Sequence, residues 1–371
     1  MNGRGSPTRE RIEPLLAQLV AINSVNPFFD PQAPGEAEIA GFVADWLRER
    51  GCEVELTGGA RPSVIAAVRG TGGGQSLMWN AHLDTVSVAG MAQPFTPRIE
   101  SGRLYGRGAY DMKGSLAAAM VALAELVRQP PAGDVVLAAV ADEENTSAGT
   151  EAVLKRVRTK GGICLEPTSL ATGCAHKGSV WIEVVMEGRA AHGSQFQQGV
   201  DANLRMGRFL GRLDQLEQQL RQRPPHPLLG PPSLHAARLA GGSGWSTYAA
   251  RCVLEIERRT VPGETAEQVM AEITALEPDR QRLVFWRPPF EISPEAAVVR
   301  AVQAAGAGEI VGASPWMDAA LMAAAGIETV ILGPHGDGAH AVEEWVDLDS
   351  TAQLGRLLVD AARIYCAPGA G

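Results

Sequence analysis

His82 and Asp84 stand two apart in Trp79-Asn80-Ala81-His82-Leu83-Asp84-Thr85-Val86, where a hydrophobic run gives way to a loop. An imidazole at a strand end, with a carboxylate to accept its second N–H, suits a metal ligand. The carboxylate fixes the tautomer and makes the ligating nitrogen more basic. Taken alone, the pair is weak evidence and fits a satisfied polar strand end better. Asp111, Glu143-Glu144, Glu166 and His340 change the balance, because the first three of these follow a strand or open a helix in the same kind of place.

Asp142-Glu143-Glu144 makes the strongest demand. Three acidic residues directly after the apolar run Val135–Ala141 are costly unless something positive neutralises them, and no Lys or Arg lies nearby in sequence. A divalent cation is the economical answer. His82, Asp111, Glu144, Glu166 and His340 together offer two imidazoles and three carboxylates. That N/O donor set suits a pair of divalent ions, Zn²⁺ first, with Co²⁺ or Mn²⁺ as alternatives. Glu143 is then the spare carboxylate, free to act as general base. By itself Asp111 reads equally as a carboxylate favoured at a helix N-terminus. His335 is a ligand candidate on spacing alone. His176, His226 and His235 read as surface or loop residues, and Lys113 as a neutraliser of the acidic cluster.

The elements that must position these residues follow from periodicity. Helices are expected over Glu10–Ala21, Glu36–Arg50 and Ser115–Leu126, and strands over Cys52–Leu56, Ser63–Val68, Ser76–Ala81, Val135–Ala141 and Gly161–Leu165. Gly70-Thr71-Gly72-Gly73-Gly74 leads into a strand and reads as a flexible turn, not a phosphate cradle. Four of the candidate ligands fall at or beyond strand C-termini, where open α/β sheets place their sites. The pattern changes near His176: Val180–Glu187 alternates as a half-exposed antiparallel strand. A long polar helix (Val200–Arg221), strands at Ser233–Leu239 and Ala249–Arg258, a helix at Glu264–Leu276 and a strand at Arg282–Trp286 follow. They suggest an inserted α+β unit. From Pro294 the first pattern resumes, with Ala296–Ala305, Ala319–Ala325, Thr329–Leu332 and Ser350–Tyr365.

At 371 residues two domains are the expectation. A net charge of -9 with no compensating basic stretch argues against nucleic-acid and membrane-surface partners. Five scattered cysteines without a Cys-x-x-Cys read as reduced thiols in a cytoplasmic protein. Met1-Asn2-Gly3-Arg4-Gly5-Ser6-Pro7 has no apolar core of a signal peptide. The apolar run Leu116–Val127 is too short to span a bilayer.

Five motifs occur in one order along most of the chain: His82-Leu83-Asp84-Thr85-Val86, Gly106-Arg107-Gly108-Ala109-Tyr110-Asp111-Met112-Lys113-Gly114, Asp142-Glu143-Glu144, Leu165-Glu166-Pro167-Thr168 and Gly338-Ala339-His340. In these the sequence resembles the zinc amidohydrolases that include acetylornithine deacetylase, succinyl-diaminopimelate desuccinylase, aminoacylase and the glutamate carboxypeptidases. The resemblance implies an α/β catalytic domain, a mixed open sheet flanked by helices, in two parts (1–176 and 288–371). An inserted α+β lid and dimerisation domain (177–287) would lie between them. It implies that Asp111 bridges two ions, one also held by His82 and Glu166, the other by Glu144 and His340. Asp84 would orient His82, and Glu143 would be base and proton shuttle. His192, in Ala191-His192-Gly193-Ser194, would polarise the scissile carbonyl from the partner subunit of a homodimer. Arg259 would grip a substrate carboxylate, with Asn203, Met317 and Asp318 as further substrate contacts. Gln195-Phe196, where many members have Arg-Pro, and Met317, in a threonine place, depart from the pattern beside the substrate.

The reaction implied is hydrolysis of the amide of an N-acyl amino acid or small peptide by a metal-activated water. Dipeptidase or carboxypeptidase activity of the same family is the alternative. A non-catalytic metal-binding protein would be free to lose Glu143. An aspartic hydrolase reading of Asp84-Thr85-Val86 needs a second such turn and a mostly β chain, and the sequence has neither.

Overall fold

The computed structural model describes residues 7–369, so the reading of residues 1–6 as free of an apolar leader lies outside it. The chain divides into two compact units. One comprises the described residues up to Cys174, Ile292–Val311 and the chain from Met317 onward; the other comprises Ala175–Glu291 and Gly312–Trp316. The inserted unit thus begins and ends a few residues outside 177–287 and takes in a short later segment.

The first unit opens with α1 (Arg9–Ala21) and α2 (Ala37–Arg48), then β1 (Glu53–Thr57), β2 (Ser63–Val68) and β3 (Leu77–His82). Short strands β4 (Arg98–Glu100) and β5 (Arg103–Tyr105) precede α3 (Gly114–Arg128), β6 (Val135–Val140), α4 (Ala148–Leu154), β7 (Gly161–Cys164) and β8 (Thr172–His176). The inserted unit holds β9 (Gly178–Glu187), α5 (Ala202–Arg221), β10 (Ser233–Gly241), β11 (Arg251–Thr260), α6 (Ala266–Thr274), β12 (Arg280–Arg287) and β13 (Phe290–Glu291). The chain closes with α7 (Ala297–Ala304), β14 (Ile310–Ala313), α8 (Ala319–Ala324), β15 (Glu328–Ile331), β16 (Gly336–Asp337), β17 (Trp345–Asp347) and α9 (Leu348–Tyr365).

The main sheet runs β1-β2-β6-β3-β7-β15-β8-β13, with β14 also against β8. β3 pairs in parallel with β6 and β7, and β7 with β15, while β1 and β2 are antiparallel. β2, β3 and β6 are buried along their whole length, as continuous apolar strands covered on both faces must be. α3 is nearly all buried. Its alanines let it lie close against its neighbours, and each fully buried Leu adds about 1.5–3 kcal/mol.

Register carries the function. His82 lies opposite Val140 and Asn80 opposite Cys164. The parallel pairing therefore brings His82, the Asp142–Glu144 turn and Glu166 to one edge. A small antiparallel sheet, β16-β17-β5-β4, flanks the turn that carries Asp111. Its strands of two or three residues had no readable period, and neither did β8 and β14.

Val180–Glu187 falls in β9 of a separate four-stranded antiparallel sheet, β10-β11-β9-β12, not in the sheet of β6. Its core gathers Val180, Ile182 and Val184 against Phe209 and Leu213 of α5 and Val269 of α6. His176, read as a surface residue, is instead fully buried, packed against Phe290 and Trp316 with Nδ1 bonded to the Lys177 carbonyl. Strand alternation turns Arg258 inward, where it is 1 % exposed, and leaves Arg259 beside Glu257 and the Ser314 carbonyl. Arg258 meets Glu264 at 2.5 Å and Glu272 at 3.4 Å. Glu264→Ala is expected to leave this buried guanidinium undercompensated and to cost the inserted unit about 3–5 kcal/mol. Urea unfolding followed by fluorescence checks this, and Glu264→Ala with Arg258→Met should regain part of the loss.

Candidate metal centre and active site

His82, the last residue of β3, is buried, and its Nδ1 lies 2.9 Å from the backbone carbonyl of Asp84. A carbonyl can only accept, so Nδ1 carries the proton and Nε2 is left to ligate. Nε2 faces Asp111 Oδ1 at 3.0 Å and Glu166 Oε1 at 3.8 Å. His340 stands in left-handed backbone at φ 62°, its Nε2 3.4 Å from Asp111 Oδ2 and 3.1 Å from Glu144 Oε2. Asp111 thus turns one oxygen to each imidazole. His82, Asp111 and Glu144 form one group able to hold a metal ion, and His82, Glu143 and Glu166 another.

The electrostatics agree with a site built around cations. Burial, then the charge of Glu166, pushes the Glu143 carboxyl well above the usual range. Burial and Asp111 raise Glu144 likewise and push Glu166 up to about 8. Bonds to Asp111 and Glu144 push His340 up to about 10. Burial opposes charge on His82, but the Asp111 bond and the Glu166 charge outweigh it and raise its pKa. Glu144 Oε1 is buried without a hydrogen-bond partner among the described residues. Burial of carboxylates this close together calls for opposite charge, and with two imidazoles beside them the donor set fits divalent ions.

The residues behind the donors differ from expectation at several points. The Asp84 carboxylate does not accept the imidazole N–H; its Oδ1 is 3.8 Å from Nδ1. It accepts instead from the backbone N–H groups of Glu143 and Glu144, both at 3.1 Å, and from Asn26 Nδ2 at 2.8 Å. The turn after β6 aims two N–H groups into a buried space, and Asp84 satisfies them while its own carbonyl serves the imidazole. Asp142 is neutralised by a residue distant in sequence: Arg61 donates to it at 2.5 Å and also pairs with Glu36, while Asn26 donates at 2.9 Å. Only Glu143 and Glu144 of that acidic run await a cation. Lys113 does not neutralise the cluster. Its Nζ donates to the Ile22 carbonyl, and burial pushes it down to about 7.

Met317 and Asp318, expected to border the substrate, are buried, and Asp318 accepts from Thr150 at 2.5 Å, which accepts in turn from Asn80. The charge of Asp318 also raises the proton affinity of Glu143. Asn203 opens α5 in the inserted unit, its amide beside Gly241 and Gly242. Arg259 and His192 also belong to that unit. His335 bonds to Ser169 at 3.2 Å and packs edge-on to Trp345, outside both donor groups. Glu344, Arg107, Asn26, Glu36 and Arg61 were not singled out from the sequence. Arg107 lies inside the Asp111 motif between two glycines; the others gave no local signal.

Two imidazoles and four carboxylates, one of them outside the bridging set, converge where the parallel strands β3, β6 and β7 end, and this defines a metal-dependent hydrolase of amide bonds. The model of peptidase family M20/M25/M40 matches residues 78–363, and the chain belongs to this family. Acetylornithine deacetylase of Photorhabdus laumondii is 31% identical over 281 residues, covering 72% of each chain. The Myxococcus xanthus enzyme of the same name is 29% identical over 390 residues, covering 97% of this chain and 99% of that one. Among solved structures, the aminopeptidase PepT from Bacillus cereus superposes with a TM-score of 0.78 at 19% identity, covering 96% of this chain and 98% of that one. A dinuclear metal-binding M20 peptidase from Bacillus subtilis reaches 0.71 at 16% identity over 96% and 98%. No helix among the described residues is long and apolar enough to cross a membrane.

Protons compete with metal ions for Glu166 and His340, whose pKa values are raised to about 8 and about 10. Metal affinity is therefore expected to rise with pH up to about pH 10, with proton release on binding. Zn²⁺ calorimetry in buffers of different ionisation enthalpy reads both.

Proposed function

We propose that the chain hydrolyses the amide bond of N-acyl amino acids, as a deacylase resembling acetylornithine deacetylase, with two divalent ions, Zn²⁺ first. The observation that carries this reading is Asp111, one oxygen toward His82 and the other toward His340. With Glu166 on the first side and Glu144 on the second, each ion would have a histidine, a carboxylate and a share of Asp111. When bound, such ions lower the pKa of a held water to about 7 and polarise a carbonyl oxygen.

Glu143 is the proton carrier. It stands in the same donor group as His82 and Glu166, and its raised proton affinity suits a group that takes a proton from the attacking water and delivers it to the leaving amine. The acyl-amino-acid reading is favoured over a peptide by the printed activity of the sequence relatives. The solved peptidase structures share the fold at low identity. Chelation should abolish turnover, and added Zn²⁺, Co²⁺ or Mn²⁺ should restore it. Glu143→Gln should keep its ions and lose roughly 10²–10⁴ in kcat. A panel of N-acyl amino acids and dipeptides tests the substrate; turnover of dipeptides alone would reassign the chain to the peptidase alternative.

His192 would donate to the substrate carbonyl oxygen, supplied by the second subunit of a homodimer. Nδ1 lies 2.8 Å from the Ser194 hydroxyl and accepts from the Ser194 N–H at 3.3 Å, an arrangement that suits Nε2 as the donor. β10 is an edge strand with Leu239 54% exposed, and Leu204 of α5 is 64% exposed. Such an edge suits isologous pairing of two copies. Arg259 would bind the substrate carboxylate. The five buried free cysteines fit a cytoplasmic enzyme. His192→Ala should lower kcat at unchanged metal content. Mixed with Glu143→Ala it should regain activity, because one site of each heterodimer again holds both groups. Subunit exchange confirmed by mass, without recovery, would reject the role in trans.

A further inference from the structure

Glu344 takes no part in the chemistry above, yet its side chain is fully buried. Its Oε2 accepts from Arg107 Nη1 at 2.7 Å and from the Gly108 N–H at 2.9 Å. Its Oε1 accepts from the N–H groups of Tyr110 at 2.9 Å and Asp111 at 3.0 Å. Three of the four donors are thus the backbone of the turn that delivers Asp111. Arg107 also reaches back along the other segment: its Nη2 donates to the carbonyl of Ala341, next to His340, at 2.9 Å.

One buried guanidinium–carboxylate pair therefore joins the turn of Asp111 to the loop of His340, across 237 positions of sequence. Packing alone would not select this pair, since two buried charges pay desolvation that apolar side chains of the same volume would avoid. What requires a carboxylate is the convergence of three backbone N–H groups, which make an anion-binding nest. Gly108 helps shape it: its φ is +76°, and a Cβ there would come within 2.6 Å of Thr85 Cγ2.

We propose that Glu344 is a positioning residue which, with Arg107, holds Asp111 and His340 at the spacing that lets Asp111 span two ions. The proposal rests on the two-ion reading of the site. An amide cannot replace the carboxylate, because its NH₂ would face N–H donors on one side of the nest. Loss of Glu344 releases Asp111, the ligand shared by both ions. Loss of Arg107 leaves the three N–H bonds in place and removes the bond to the Ala341 carbonyl, so it loosens His340 more than Asp111.

The test is Zn²⁺ titration of the metal-free wild type, Glu344→Gln, Glu344→Asp and Arg107→Met against a chromophoric chelator, with circular dichroism of each apoprotein. Glu344→Gln should weaken both Zn²⁺ sites about 10–100-fold, the usual effect of removing a group that orients a ligand. Its kcat should fall with KM nearly unchanged, and Glu344→Asp should recover part of the affinity. Arg107→Met should weaken one site about 10-fold and the other less. A folded Glu344→Gln apoprotein that binds two Zn²⁺ with wild-type affinity overturns the proposal. Should that variant not fold, Arg107→Met decides: two sites of wild-type affinity reject the tie. The titration needs no substrate, so a wild type that binds two ions but turns over no N-acyl amino acid defeats only the substrate reading.

Discussion

Like charge in a small buried volume is the constraint on which this structure turns. Asp111, Glu143, Glu144 and Glu166 converge within reach of two imidazoles at the C-terminal ends of the parallel strands in a mixed sheet. Burial of that many carboxylates raises their proton affinity unless opposite charge is supplied. The chain supplies it selectively. Asp142 has Arg61, Glu344 has Arg107, and Asp84 has two backbone N–H groups and an amide. The supporting carboxylates are satisfied from within the protein, while those facing the two histidines are left short of positive charge.

The same selectivity orients the ligands. A backbone carbonyl, not a carboxylate, fixes the His82 tautomer, which keeps the Asp84 charge for the Glu143–Glu144 turn. One short segment, His82 to Asp84, thereby places an imidazole directly and two glutamates indirectly. In the inserted unit the logic differs: a buried arginine is matched by two glutamates around an aliphatic core, and the histidine stands exposed in a loop.

Much of this was legible in the sequence because it is local. The uniformly apolar strands β2, β3 and β6 and the acidic run after β6 announce a buried sheet with a charged edge, and β9 announces a different sheet by alternation. The family motifs name the donors. What could not be read is the set of bonds that close over long separations. Arg61 lies 81 positions from Asp142, Asn26 lies 58 from Asp84, and no periodicity couples them. Asp318 shows the converse: its motif places it beside the substrate, and only the fold shows it turned inward toward Thr150. His176 was misjudged because a strand of five residues with a glycine in it has no period to recognise.

The long reach between Arg107 and Glu344 has a consequence for how the molecule comes into being. Ribosomes release chains at about 5–20 residues per second, and N-terminal segments begin to fold first. When Asp111 is added to the chain, the carboxylate that receives its N–H group is still 233 residues from being made. The inserted unit, by contrast, is almost wholly contained in one continuous stretch, Ala175–Glu291. Synthesis therefore yields a finished insertion before a finished active site. For that interval the first half of the catalytic unit carries its acidic edge with neither β15 nor His340 in place. The donor set closes only once His340 and Glu344 have been made, after the insertion that separates them from the turn of Asp111.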